Sequence, residues 1–348
     1  MLYSRREKKN HKDYPTQNTK SIFIRKNFYS FAKDAVNGCI GKQQYLPLFS
    51  KEQADNYYTK TYEDIPETEL NLSWFPKQKD LSHPSFLPYP DSIIRPKDVK
   101  EILKRTNRRS SPGPDGITYQ ALYKLTNLHA PLATLYNKCL KFGQPPSSWA
   151  ESKITLIHKK GDPSIPSNFR MIALSSTIGK ILHLILSRKI SDHLTTNTLI
   201  NPALQKGFMP GVCGCIEHNL CLEEIITDAK VNKKTVHITF FDLKDAFGSV
   251  PHKLIEYSLY RNFIPENVIN YITALYNKAS SMVETKNWVS KIFKMSKGTF
   301  QGDPLSPTIF NMIFNPLLEY LEANESSGYK LGEKYFITLP YADDFTHK

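Results

Sequence analysis

Apolar residues recur three or four positions apart in some stretches of the chain and cluster in short runs in others. The first spacing predicts helices and the second predicts strands. The pattern becomes dense at Arg95. Pro96 opens a helix through Val99, Ile102 and Leu103. The turn Ser110-Ser111-Pro112-Gly113-Pro114-Asp115-Gly116 leads into another helix through Tyr119, Leu122 and Leu125, with Asp115 as its cap. Residues 132–140 give a third, stopped by Gly143 and Pro145-Pro146. A strand, Ile154-Thr155-Leu156-Ile157, and a second short strand over 168–174 flank the turn Lys159-Lys160-Gly161-Asp162. Residues 176–194 form an amphipathic helix with Ile178, Ile181, Leu182, Ile185 and Leu186 inward, and 215–230 form another. Before Arg95 the reading is sparser. Phe23, Phe28, Phe31, Ala32 and Ala35 suit a short helix, and the prolines of 62–96 suggest an irregular linker.

Three later stretches combine a structural element with acidic chemistry. Val236-His237-Ile238-Thr239-Phe240-Phe241-Asp242 reads as a strand ending in aspartate. Residues 298–307 form a loop that opens a helix near Pro304, with Asp303 as its cap. Phe336, Ile337, Leu339 and Tyr341 precede Asp343-Asp344, and Phe345 follows, which predicts a strand, a tight acidic turn and a return strand. Neighbouring strand residues face apart, so two adjacent aspartates serve one site only where the backbone turns. Buried carboxylates need a partner, and a cation is the expected one.

Composition narrows the function. The chain has 348 residues, 40% of them hydrophobic, and a formal charge of +13. Such an excess of Lys and Arg favours an anionic partner, nucleic acid first, and 19 Tyr and 19 Phe suit stacking on bases as well as a core. The cluster Arg5-Arg6-Glu7-Lys8-Lys9 reads as a solvated basic tail. Lys180, Arg188 and Lys189 lie along the 176–194 helix in reach of a nucleic-acid backbone. Five cysteines, an odd and sparse set, argue against a disulfide framework. The spacing of Cys213, Cys215, His218 and Cys221 fits no standard zinc site, so core packing is the expectation there. No secretory signal and no apolar run of membrane-spanning length is visible, so the expected location is cytoplasmic and nuclear, with no membrane partner.

Phe241-Asp242-Leu243-Lys244-Asp245-Ala246-Phe247, Gln301-Gly302-Asp303-Pro304-Leu305-Ser306-Pro307 and Tyr341-Ala342-Asp343-Asp344, in that order, resemble motifs A, B and C of reverse transcriptases, in the form found in non-LTR (LINE-like) retrotransposons. The Ser-Pro-Gly-Pro-Asp-Gly turn and Asn168-Phe169-Arg170-Met171-Ile172 resemble fingers segments of the same enzymes, with Met171 where proline is usual. Gln205-Lys206-Gly207-Phe208-Met209-Pro210-Gly211 resembles a template-side element. The likeness covers about residues 95–348.

The resemblance implies an α+β right-hand polymerase fold. Residues 1–94 would be a basic extension and linker, 95–235 the fingers, and 236–348 a palm with a small antiparallel sheet, incomplete, the thumb being absent. The implied activity is RNA-directed DNA synthesis from dNTPs on an RNA template and a DNA primer. Asp242, Asp343 and Asp344 would be catalytic and, with the Leu243 carbonyl, would hold two Mg²⁺ ions, or Mn²⁺. Mg²⁺ takes hard oxygen ligands, and two such ions stabilise the attacking and leaving oxygens together. Arg170 and either Lys159 or Lys160 would grip the triphosphate, where an Arg fork suits phosphate geometry. Phe247 would be the steric gate against a ribose 2′-hydroxyl, and Gln301 and Gly302 would lie under the templating pair. Asp245, a turn beyond Asp242, and Asp303 are set aside as ligands. Gly248 stands where many members carry a second aspartate. The chain ends four residues past Asp344, which reads as a truncated copy or part of a longer polyprotein. A nucleic-acid-binding remnant without turnover is the alternative, and an RNA-directed RNA polymerase is disfavoured by Phe247 and Tyr341-Ala342-Asp343-Asp344.

Overall fold

A computed structural model describes residues 46–63, 86–212, 214–323, 328–342 and 344–347, with backbone only at 215 and 344–347. The expected helix at 23–35, the Arg5–Lys9 cluster, most of the proline-containing linker, Cys213 and Asp343 lie outside the described residues.

The first helix, α1 (Lys51–Thr61), starts where Ser50 and Gln53 cap each other: the Gln53 N–H donates to Ser50 Oγ at 3.3 Å and the Ser50 N–H to Gln53 Oε1 at 2.8 Å. α2 (Pro96–Arg105) carries proline in its first turn, and Asp98 accepts from the Arg95 N–H at 2.8 Å. Its Val99, Ile102 and Leu103 are buried as their spacing predicts. α3 (Tyr119–Lys124) is capped by Thr118 Oγ1, which accepts from the Ala121 N–H; Asp115 instead accepts from the Ile117 N–H and from Ser176 Oγ. The Asp115 cap is thus corrected to a turn residue tying this segment to Ser176. α4 (His129–Phe142) ends at Gly143, whose φ of 60° is left-handed and whose absent Cβ would stand 2.7 Å from Asn270 Cβ.

β1 (Glu151–His158) and β2 (Phe169–Ser175) form the expected antiparallel hairpin. α5 (Thr177–Thr196) follows, its Ile181, Leu182, Ile185, Leu186 and Ile190 buried between α2 and the later helices. α6 (Gly214–Val231) precedes β3 (Thr239–Asp242), which is shorter than its apolar run suggests. α7 (His252–Arg261) and α8 (Glu266–Asn277) lead to β4 (Ser280–Val283) and β5 (Phe293–Lys294). α9 (Leu305–Glu322), apolar on most sides, runs through the core. The hairpin β6 (Tyr329–Leu331) and β7 (Lys334–Phe336) and the hairpin β8 (Thr338–Tyr341) and β9 (Asp344–His347) close the chain.

One sheet has the order β2-β1-β4-β5, with β1 and β4 parallel and the other pairs antiparallel. A second, antiparallel, has the order β3-β9-β8. Pro340 sits in edge strand β8, where its missing N–H costs no ladder bond. The expected α+β class holds. All described residues but Leu46 belong to one compact unit, Pro47–Lys348. That unit includes the 47–63 segment assigned by sequence to the extension: Phe49 packs edge-on against Phe169 at 5.6 Å, and Tyr58 and Tyr62 stack on Phe293. Among the described residues no helix is long and apolar enough to cross a membrane.

Two surface readings of α5 change. Lys180 is buried, facing Asp303 and Asp115. Lys189 donates to the Asp91 and Ile93 carbonyls, while Arg188 stands near Glu101 and Asp192. Of the Cys/His cluster, His218 and Cys221 are half-buried, and among the described residues no group of three His, Cys, Asp or Glu could hold a metal.

Candidate active site

The two sheets and the loop before α9 enclose a cleft of about 710 Å³. Lys159, Arg170, Asp242, Leu243, Phe247 and Gln301 line it, together with Tyr62, Met171, Lys244 and Asp245. Residues that are far apart in sequence meet because β1–β2 delivers Lys159 and Arg170, the end of β3 delivers Asp242, and the loop entering α9 delivers Gln301. Of the described candidates, Lys160 and Gly302 are not among the lining residues. Of the two candidate lysines, then, the cleft takes Lys159, whose N–H is tied to the Asn168 carbonyl at 2.8 Å across the hairpin.

Asp242 ends β3 with its side chain exposed on the cleft. In the β3–β9 register its backbone stands opposite Asp344, and Phe241 stands opposite Phe345. Tyr341 pairs with Asp344 across the β8–β9 hairpin, and Ala342 turns the chain after β8. The expected strand and return strand are present, as β8 and β9. The described carboxylates that line the cleft are Asp242 and, a turn beyond it, Asp245. A hard anionic oxygen suits Mg²⁺ or Mn²⁺.

Phe247 is half-buried. Its ring stacks on Phe310 at 4.7 Å with an interplanar angle of 26°, and Phe208 meets it edge-on at 5.9 Å. The loop behind it is held by backbone bonds: the Thr299 N–H donates to the Phe247 carbonyl at 2.7 Å and the Gly298 N–H to the Val250 carbonyl at 2.7 Å. Gly248 packs so closely that a Cβ would stand 2.3 Å from an Asp245 carboxylate oxygen.

The Gln301 carbonyl accepts from the Ala173 N–H at 2.8 Å, which docks this loop on β2. Gly302 has a φ of 110°, a conformation reserved for glycine, and a Cβ there would stand 3.2 Å from the Ala173 carbonyl oxygen. Phe300 is buried and stacks on Tyr276, and it also lines the cleft. Asp303 accepts from the Leu305 N–H at 2.9 Å, as expected of a cap, and also pairs through Oδ2 with His183 Nδ1 at 2.6 Å. His183 Nε2 lies 3.0 Å from Tyr271 Oη. Burial pushes the Asp303 carboxyl up, but the His183 charge and hydrogen bond, with the Leu305 N–H and Lys180, hold it below the ordinary carboxylate range.

Sequence reasoning missed Tyr62, His183 and Gln205. Tyr62 lies beyond the region of resemblance, and His183 lies on a helix face that reads as core. Gln205 was grouped with a template-side element; its side chain bonds the Ala342 backbone, a contact the sequence does not announce.

Residues 157–347 match the family model described as reverse transcriptase (RNA-dependent DNA polymerase). The retrovirus-related Pol polyprotein of a type-1 retrotransposable element R2 from Popillia japonica is 32% identical over 236 residues, covering 68% of this chain and 32% of that one. The corresponding R2 polyprotein from Nasonia vitripennis is 29% identical, over 71% of this chain and 23% of its own. A probable RNA-directed DNA polymerase from transposon BS of Drosophila melanogaster is 27% identical, over 67% and 26%. The chain thus spans about a third or less of these relatives. Among solved structures, a telomerase from Candida tropicalis with a fragment of telomeric RNA matches with a TM-score of 0.39 at 18% identity, covering 66% of this chain and 40% of that one.

Proposed function

Since the chain belongs to the reverse transcriptase family, with a domain of the non-LTR retrotransposon kind, we propose that its cleft adds dNTPs to a primer 3′-hydroxyl on an RNA template. The observation that carries this reading is the meeting of Asp242, Lys159, Arg170, Phe247 and Gln301 around one cleft. Residues 95–235 act as fingers and 236–348 as palm, with the β3-β9-β8 sheet as the palm floor. The +13 charge suits RNA and DNA partners in the cytoplasm and nucleus.

The 3′-oxygen attacks the α-phosphorus, forming one P–O bond as the bond to diphosphate breaks. The incoming triphosphate carries about four negative charges, and Arg170 and Lys159 bind it as fork and point charge. Phe247 packs under the sugar, where its stack on Phe310 prevents the ring from yielding to a 2′-hydroxyl. The loop of Gln301 and Gly302 supports the templating pair. Asp242 and the Leu243 carbonyl, with Asp343 and Asp344, would hold two divalent ions, Mg²⁺ or Mn²⁺. Bound there, such ions supply charge stabilisation at the attacking and leaving oxygens.

Primer extension on an RNA template with Mg²⁺ and dNTPs tests the reading. Incorporation that Asp242→Asn abolishes supports it, as does a Phe247→Ala variant that accepts NTPs more readily. RNA binding without incorporation would replace the enzyme with a binding remnant, and equal extension by wild type and Asp242→Asn would refute the site.

A further inference from the structure

Ala342, directly before the first acidic residue of the turn, has a φ of 57°. Alanine rarely adopts this left-handed conformation, so the surroundings must impose it. A buried amide does so. Gln205, 1% exposed, presents Oε1 to the Ala342 N–H at 2.9 Å and to the Gly207 N–H at 2.8 Å. Its Nε2 donates to the Ala342 carbonyl at 3.3 Å. One side chain thereby grips both polar groups of a single turn residue, itself only 3% exposed.

The grip is anchored from behind. The Gln205 N–H donates to the Asn201 carbonyl at 3.0 Å and the Lys206 N–H to the Pro340 carbonyl at 3.3 Å. Gly207 touches the turn so closely that a Cβ there would stand 2.1 Å from Ala342 N. Its carbonyl accepts from Asn311 Nδ2, a buried side chain of α9, at 2.9 Å. Residues 205–207 therefore form a socket fixed to the core helix, and Ala342 sits in it.

We propose that Gln205 is a positioning residue for the acidic motif: by holding both peptide groups of Ala342 it fixes the backbone directly before Asp343, the residue that the family resemblance makes a metal ligand. This rests on the polymerase reading above. The chemistry demanded of position 205 is one acceptor and one donor at the end of a side chain of this length. Glutamate keeps the acceptor and loses the donor, setting a charged oxygen against the Ala342 carbonyl. Methionine keeps the shape and loses both. Misplacement of a ligand-bearing turn weakens metal affinity before it weakens nucleic-acid binding, because the Gln205 side chain is buried and the proposed dNTP contacts, Lys159, Arg170 and Phe247, lie on other elements.

The experiment compares wild type, Gln205→Met and Gln205→Glu by two readouts. The first is hydrogen exchange at the Ala342 amide, which needs no activity; we expect protection in wild type, its loss in Gln205→Met and a smaller loss in Gln205→Glu, which keeps the acceptor, with the β1–β2 amides unchanged. The second is the Mg²⁺ dependence of primer extension. The Mg²⁺ concentration for half-maximal rate should rise about tenfold, roughly the worth of one net hydrogen bond, with the KM for dNTP and the affinity for template–primer within twofold of wild type. Unchanged Ala342 protection overturns the proposal, as does a lower kcat at unchanged Mg²⁺ requirement, which is the mark of a merely structural role. If wild type shows no incorporation, the polymerase reading fails, and the exchange measurement still decides whether Gln205 holds the turn.

Discussion

The pair formed by His183 and Asp303 is the most exposed to test, because it lies beneath the loop that supports the cleft and can be broken without touching a lining residue. Both side chains are 1% exposed, and their contact is 2.6 Å. Asp303 sits where the loop winds into α9, with the Ser306 N–H bonded to its carbonyl and the Leu305 N–H to its carboxylate. Replacing His183 with leucine leaves the Asp303 carboxylate buried with only the Leu305 N–H as a hydrogen-bond donor and the charge of Lys180 nearby, and it removes the partner of Tyr271 Oη. Stranding a buried charge in this way costs about 3–5 kcal/mol, against a total of about 5–15 kcal/mol for a domain. Asp303→Asn keeps a cap for Leu305 and a hydrogen bond to His183, and should cost less, about 1–2 kcal/mol. In the double leucine variant no charge is stranded, so its cost should fall at least about 2 kcal/mol short of the sum of the two single leucine variants. Urea unfolding at pH 7 with a constant m-value measures each figure. A His183→Leu cost below about 1 kcal/mol, or an additive double variant, would refute the reasoning. The pH sign follows from the lowered Asp303 pKa. The unfolded carboxyl titrates near 3.9 and the folded one lower, so this contribution is full above about pH 4 and is lost as pH falls through the folded value.

His218 makes a second, separable pH window. Burial, with Lys206 adding to it and Glu217 opposing, pulls its imidazole down to about 4. The unfolded state takes up a proton near pH 6.5 and the folded state only near 4, so stability is full above about 6.5 and declines toward 4. After allowance for partial solvent screening the loss is about 1–2 kcal/mol, and His218→Gln should flatten urea midpoints between pH 7 and pH 5; an unflattened profile assigns the decline elsewhere. At the cleft, Lys159→Ala and Arg170→Lys should each raise the KM for dNTP about tenfold in primer extension, the scale of one lost charge-assisted hydrogen bond, while Lys160→Ala stays within about twofold; an equal effect of the two alanine variants would mean that both lysines reach the phosphates. Gly302→Ala, forced to a φ of 110°, should lower stability by about 1–3 kcal/mol in the same urea assay; a neutral variant would show that the loop re-forms without this conformation.

Much of this was legible in the sequence because local rules and burial agree there. Pro96, Val99, Ile102 and Leu103 specify α2 by cap and period together, and Gly143 ends α4 both by its φ and by its contact with Asn270. The reading along the chain left 248–297 unassigned, and the reason is physical for the strands. β4 is Ser-Ser-Met-Val, without alternation, and it exists because it lies parallel to β1 with Ser152 and Ser281 hydroxyls 2.6 Å apart in the core. β5 is two residues long and is held by Tyr58 and Tyr62 from the N-terminal side, a contact no local pattern announces. Lys180 misled for the opposite reason. Its place on an amphipathic helix suggests solvent, but Asp115 and Asp303 arrive from distant segments and make burial tolerable. The aspartates and Phe247 could be named from motif resemblance. That Lys159 rather than Lys160 faces the cleft, and that Gln205 holds Ala342, depends on register and on loops meeting, which only the folded chain supplies.

The cleft is assembled less by strand pairing than by cross-stitching of loops. The Ala173 N–H reaches the Gln301 carbonyl, the Thr299 N–H and hydroxyl reach the Phe247 carbonyl, and the Gly298 N–H reaches the Val250 carbonyl. These bonds join the strand that carries Arg170, the loop that carries Gln301 and the turn that carries Phe247. Glycines make the joints possible: a Cβ on Gly298 would stand 2.6 Å from the Gly248 carbonyl, and one on Gly248 would strike Asp245. The backbone contact sets its demand on Gly298, whose φ of 85° and contact with the Gly248 carbonyl leave no room for a side chain, while at 248 a side chain would meet only the exposed Asp245 carboxylate. A displacement of about 1 Å in an active site can cost a hundredfold in rate, so in the proposed polymerase site the close packing of Gly298 on the Gly248 backbone would hold Asp242 and Phe247 in register with the loop before α9.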